Sequence, residues 1–90
     1  MTQADRPNIR SGIRLQWEEV QNSYVLLYPE GMVKLNTSAA EILKRCDGVR
    51  NVDEIVADLE SAFKRTGLQG EIEHFLQLAR AQGWISAAQS

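Results

Sequence analysis

Cys46 and His74 are the chain's single cysteine and single histidine, and so its one thiol and imidazole pair for nucleophilic chemistry. Such chemistry needs the two within hydrogen-bond reach and a third group to orient the base. Their settings point to quieter roles. Cys46 falls on the apolar stripe of a predicted helix, where a free cysteine serves as a small buried hydrophobe. His74 lies between Glu73 and Phe75, off its helix's stripe, as a solvated residue. One cysteine and one histidine also exclude an internal disulfide and a structural zinc site of the Cys/His type.

The acidic residues come as Glu18-Glu19, Asp53-Glu54, and Glu71 with Glu73. Paired acids can divide general acid and base roles when their environments push their pKa values apart. Here Asp53, Glu54, Glu71 and Glu73 fall in the first turns of predicted helices, where the helix dipole favours negative charge, and Glu18-Glu19 belongs to a turn. The six glycines are scattered as turn and cap residues and form no phosphate-binding loop. The residues therefore predict no catalytic group, no metal and no cofactor.

The chain that positions them has 90 residues, with 10 Lys+Arg against 12 Asp+Glu and a net charge of -2. That length supports one small core and excludes a large enzyme fold. The slight acidity removes the uniform positive field used by nucleic-acid binders. No stretch has the roughly 18 apolar residues of a membrane span, and the N-terminus has no secretory pattern. The expected location is the cytoplasm, without nucleic acid or membrane as a partner.

Residues 1–11, with Pro7, Arg6 and Arg10, read as a flexible tail, 12–85 as one domain and 86–90 as a second tail. Ile13, Leu15 and Trp17 alternate with Arg14 and Gln16 as a first strand. Residues 24–28, YVLLY, are apolar on both faces, as in a central strand. Pro29-Glu30-Gly31 turns the chain into a third strand over 32–35, which lies at a sheet edge. Ser38 with Glu41 predicts a capping box and a helix from about Ala39, stopped at Gly48. Asn51 with Glu54 predicts a second helix carrying Val52, Ile55, Val56, Leu59 and Phe63, ended by Gly67. A third begins near Gly70, carries Ile72, Phe75, Leu76 and Ala79 on one stripe with Leu78 off it, and ends at Gly83 before a short Trp84-Ile85 pair. The predicted class is α+β: a three-stranded antiparallel sheet followed by three helices, winged helix-turn-helix-like.

A winged helix can read DNA, and a DNA-binding protein is the alternative function. Glu71 and Glu73 at the start of the third helix oppose it, because that end would approach phosphates. The third strand offers a different surface: unpaired backbone groups beside apolar side chains, a template for an added strand. Lys34 is either a guard against aggregation or a selector for an acidic peptide.

The segment RLQWEEVQNSYVLLYPEGMVKLNTSAAEIL at 14–43, with CDG at 46–48 and VADLESAF at 56–63, closely resembles the PqqD family of pyrroloquinoline quinone (PQQ) biosynthesis, over roughly residues 12–85. The resemblance implies a stand-alone recognition element for ribosomally made precursor peptides, with a winged-helix-like fold of three strands and three helices. It implies a peptide chaperone without chemistry of its own. Such a chaperone captures the precursor PqqA, whose Glu and Tyr become the quinone, and delivers it to the radical-SAM enzyme PqqE.

The family favours a cleft between the third strand and the third helix. The residues chosen for it are Met32, Val33, Lys34 and Leu35 on the strand and Phe75, Leu76, Leu78 and Ala79 on the helix, with Arg80 as a partner for an acidic peptide residue. Val33→Pro is expected to weaken binding by removing an edge donor. The same open edge permits a homodimer by self-pairing or domain swapping.

Overall fold

The computed structural model describes residues 5–86, in the order β1 (Arg14–Glu18), β2 (Ser23–Tyr28), β3 (Gly31–Lys34), α1 (Thr37–Lys44), α2 (Val52–Phe63) and α3 (Gln69–Ala81). The strands form one antiparallel sheet with β2 in the centre. Register follows from alternation: Leu15 and Val33 both stand opposite Leu26, and Gln16 and Lys34 both stand opposite Val25. Leu15, Tyr24, Leu26, Val33 and Leu35 join the core with the helices. Residues of the other parity, Arg14, Gln16, Val25, Leu27, Met32 and Lys34, lie on the opposite face of the sheet, where Arg14, Met32 and Lys34 are exposed and the central Val25 is fully buried.

The helical stripes close the core. Ile42 and Leu43 of α1, Ile55 and Leu59 of α2, and Ile72, Leu76 and Ala79 of α3 are buried in one cluster with Leu26 and Leu35. Helix α2 starts as the sequence predicts. The Asn51 side chain accepts from the Glu54 backbone N–H at 2.8 Å, and Glu54 accepts from the Asn51 N–H at 2.8 Å. Asn51→Ala removes the cap of a nearly buried residue and lowers the unfolding free energy by about 1 kcal/mol. Urea unfolding should show this as a lower midpoint at unchanged slope.

Helix α1 departs from expectation at both ends. Its N-cap is Asn36, whose side chain accepts from the Ala39 N–H at 2.8 Å, so Ser38 lies inside the first turn. Glu41 cannot complete a box with Ser38, because its carboxylate is taken by Lys44 at 3.0 Å and Arg45 at 2.9 Å. The helix stops at Lys44, before Gly48. Helix α2 likewise ends before Gly67, at Lys64 in the left-handed conformation (φ 55°).

The largest correction concerns the N-terminal tail. Residues 1–4 lie outside the described residues, but Asp5 and Pro7 are buried. Asn8 bridges to Asp47 and Ile9 to Ile85. The Gly48 N–H donates to the Pro7 carbonyl at 2.9 Å and the Ser86 N–H to the Asn8 carbonyl at 2.8 Å. Residues 5–10 thus form a strap between the loop after α1 and the segment after α3. The Trp84-Ile85 pair is the strap's partner through the Ile9 bridge, and Ser86, expected in the second tail, is part of the same ladder; residues 87–90 lie outside the described residues. Gly48 suits this contact twice: its φ is 79°, and a Cβ there would meet the Asn8 side chain at 3.2 Å.

Candidate functional site

Among the described residues, strand β3 is paired on one side only, by β2, which leaves its outer edge free. Which groups face that edge follows from one bond: the Leu35 N–H donates to the Tyr24 carbonyl at 2.9 Å. Backbone groups alternate sides along a strand, so Val33, opposite Leu26 in the same register, also points its N–H and C=O at β2. Met32 and Lys34 therefore turn their N–H and C=O outward. Both side chains are exposed, Met32 by 47%.

A pocket of about 310 Å³ begins just past β3. Asn36, Ser38 and Ala39 form its near wall, and Ile72, Phe75 and Leu78 of α3 the far wall. Leu59 and Phe63 of α2 contribute apolar surface, and Arg65 and Glu71 stand in its lining. The expected cleft between β3 and α3 is thus realised differently: the three helices wall it, and none of Met32, Val33, Lys34 or Leu35 lines it. The chain leaves the sheet at Lys34 and starts α1 three residues later, which puts the first turn of α1 where β3 was expected.

The predicted residues divide accordingly. Met32 and Lys34 lie on the free edge, Val33 is half-buried and Leu35 is buried in the core. Phe75 and Leu78 line the pocket, whereas Leu76 and Ala79 are core residues, 1% and 0% exposed, with no surface to offer a ligand. Arg80 donates to the Asp5 carboxylate and to the Ser86 carbonyl, so its acidic partner is within the chain. Sequence reading passed over Phe63, Arg65 and Leu68, which enter the pocket from the end of α2 and the following loop. Phe63 was visible as the last apolar residue of the α2 stripe.

Most charged groups are engaged internally. Arg45 bonds Asp58 and Glu41, tying α1 to α2. The Arg45 and Lys44 cations hold the Glu41 carboxyl below its usual range, and Arg45 does the same for Asp58. The Lys44 ammonium also sits 4.5 Å from the centre of the Tyr24 ring. Among the described residues, no group of three metal-ligating side chains converges, and no helix is long and apolar enough to cross a membrane.

Cys46 is buried at the end of α1, its thiol donating to the Ile42 carbonyl at 3.4 Å, while His74 is exposed on α3. Burial pushes the Cys46 thiol up to about 12. The thiolate required for nucleophilic attack is thus withheld at neutral pH. Alkylation of Cys46 should be negligible in the folded protein up to pH 9 and complete in urea; rapid labelling without denaturant would contradict its burial. Since the free thiol ionises near 9.0 and the folded one near 12, the stabilisation from keeping it neutral is full below pH 9 and is lost as pH rises through that window.

Comparison with known proteins places the chain in a family. Residues 23–85 match the family model described as coenzyme PQQ synthesis protein D (PqqD). The chain is 51% identical over 82 residues to the PqqA binding protein of Azotobacter vinelandii, covering 90% of this chain and 89% of that one. It is 54% identical over 80 residues to the PqqA binding protein of Pseudomonas aeruginosa, covering 88% and 87%. Its fold matches the solution structure of the PqqD truncation of Methylobacterium extorquens PqqCD, described as a functional, stand-alone recognition element for ribosomally synthesised, post-translationally modified peptides. The TM-score is 0.71 at 28% identity, over 96% of this chain and 94% of that one. With its sheet, three helices and nearly full-length match to these relatives, the chain belongs to the PqqD family.

Proposed function

We propose that the protein is a cytoplasmic peptide chaperone of PQQ biosynthesis that binds the precursor peptide PqqA as a strand added to β3 and presents it to the radical-SAM enzyme PqqE. The observation that carries this reading is the free edge of β3 leading to an apolar pocket. The relatives named PqqA binding protein supply the ligand, and the family resemblance supplies the receiver. Backbone bonds to Met32 and Lys34 give affinity, and the pocket takes an apolar side chain of the peptide as it runs past Asn36. The protein contributes no bond-making group, consistent with the buried Cys46 thiol. A second copy competes for the same edge, so self-association at high concentration should fall as peptide is added.

The test is an amide NMR titration of the labelled protein with PqqA. Saturable shifts at residues 31–36 and along Phe75 and Leu78 are expected, followed by broadening of the remaining amides when PqqE is added. Shifts confined to β1 would overturn the β3 edge as the site. A spectrum indifferent to PqqE would overturn presentation.

A further inference from the structure

We infer that Lys34 reads a carboxylate on the bound peptide, so that the protein selects a strand carrying an acidic residue on the sheet face opposite the helices and apolar residues of the opposite parity. The inference rests on the strand-addition reading and deepens it. A strand laid along β3 bonds to the outward backbone groups of Met32 and Lys34, whichever direction it runs. The peptide residue beside Lys34 then shares its face, with side chains about 5 Å apart. That face points away from the helices. The next peptide residue points to the helical side, where Val33 and Leu35 join the core.

Charge decides what suits the Lys34 side of the added strand. Arg6, Lys44, Arg45, Arg50 and Arg80 each have an anionic partner within the chain. Among the described residues, Lys34 makes no hydrogen bond or ion pair, and it is exposed at the free edge. Its directly opposed neighbour on β2 is Val25, which is fully buried and carries no charge. An ammonium held beside the incoming strand attracts a carboxylate there and repels a cation.

Arg14 supplies the control. It lies on the same face and likewise makes no side-chain hydrogen bond or ion pair among the described residues. On β1 it stands three strand spacings from an added strand, about 14 Å, beyond the screening length of roughly 8 Å at physiological salt.

The experiment measures Kd for PqqA by calorimetry with the unaltered protein, Lys34→Glu and Arg14→Glu, at low and high salt. Lys34→Glu should weaken binding by about tenfold or more and flatten the salt dependence, while Arg14→Glu, with the same change in net charge, should shift Kd less than about twofold. Replacing the peptide's acidic residues one at a time by Lys should restore affinity to Lys34→Glu at one position. Equal effects of the two protein variants, or a Lys34→Glu Kd unchanged while the residue 31–36 amides still shift, would overturn the inference and leave peptide binding standing. No binding by the unaltered protein would overturn the peptide-binding reading and the inference with it.

Discussion

A Met32→Pro variant is expected to remain folded and to bind PqqA about tenfold more weakly, equivalent to about 1.4 kcal/mol. The Met32 N–H faces the free edge and takes no part in the β2–β3 ladder, as the Leu35 to Tyr24 bond requires by alternation. Edge strands tolerate proline where the lost N–H faced solvent, so the sheet keeps its register. A peptide strand loses one backbone acceptor's partner and meets the proline ring. Met32→Val keeps the N–H and should bind nearly as the unaltered protein does, separating the donor from the thioether. Val33→Pro, which looked from sequence like the edge variant, is a different experiment. It removes a bond to β2 opposite fully buried Leu26, and should cost stability by about 1 to 3 kcal/mol before binding is at issue. Calorimetry with circular dichroism as the folding check settles the pair; full affinity in folded Met32→Pro would sink strand addition at this edge.

That reversal illustrates which features were legible in the sequence. Period-two alternation identified β1 and β3, with Val33 and Leu35 on the opposite parity to Met32 and Lys34, while β2 stood out as a run apolar on both faces. Which side the backbone groups face depends on the ladder register, and that is a property of two strands together. The three-and-four spacing similarly separated Leu78 from the stripe of Ile72, Leu76 and Ala79. It could not separate Phe75, which lines the pocket, from Leu76, which fills the core. The caps divide the same way. Asn51 and Glu54 bond each other without rivals, so the local pattern is the structure. Ser38 and Glu41 have rivals: Asn36 reaches the Ala39 N–H first, and Lys44 and Arg45 draw the Glu41 carboxylate toward the end of the helix.

Nothing local announces the contact between Asp5 and Arg80, which are 75 positions apart, and it yields the second large expected effect. Arg80→Ala should lower the unfolding free energy by about 2 kcal/mol, which for a domain of this size lowers Tm by roughly 10 °C. The Asp5 side chain is 10% exposed and the Arg80 side chain 21%, so removing the cation leaves a nearly buried carboxylate without its charge partner. Asp5→Ala should cost less, because Arg80 keeps its bond to the Ser86 carbonyl and is nearer to water. Adding Asp5→Ala to Arg80→Ala should therefore recover part of the loss, and the cycle of four proteins measures the coupling. Hydrogen exchange gives an independent readout. The Gly48 and Ser86 amides, which donate to Pro7 and Asn8, should lose protection in Arg80→Ala more than the Leu26 amide does if the strap opens before the core. Unchanged stability and exchange would mean that the strap is not held by this pair. Because Arg80 is spent on Asp5, the folded Arg80→Ala protein, examined well below its Tm, should bind PqqA with unchanged Kd. A selective loss of affinity there would return Arg80 to the peptide site.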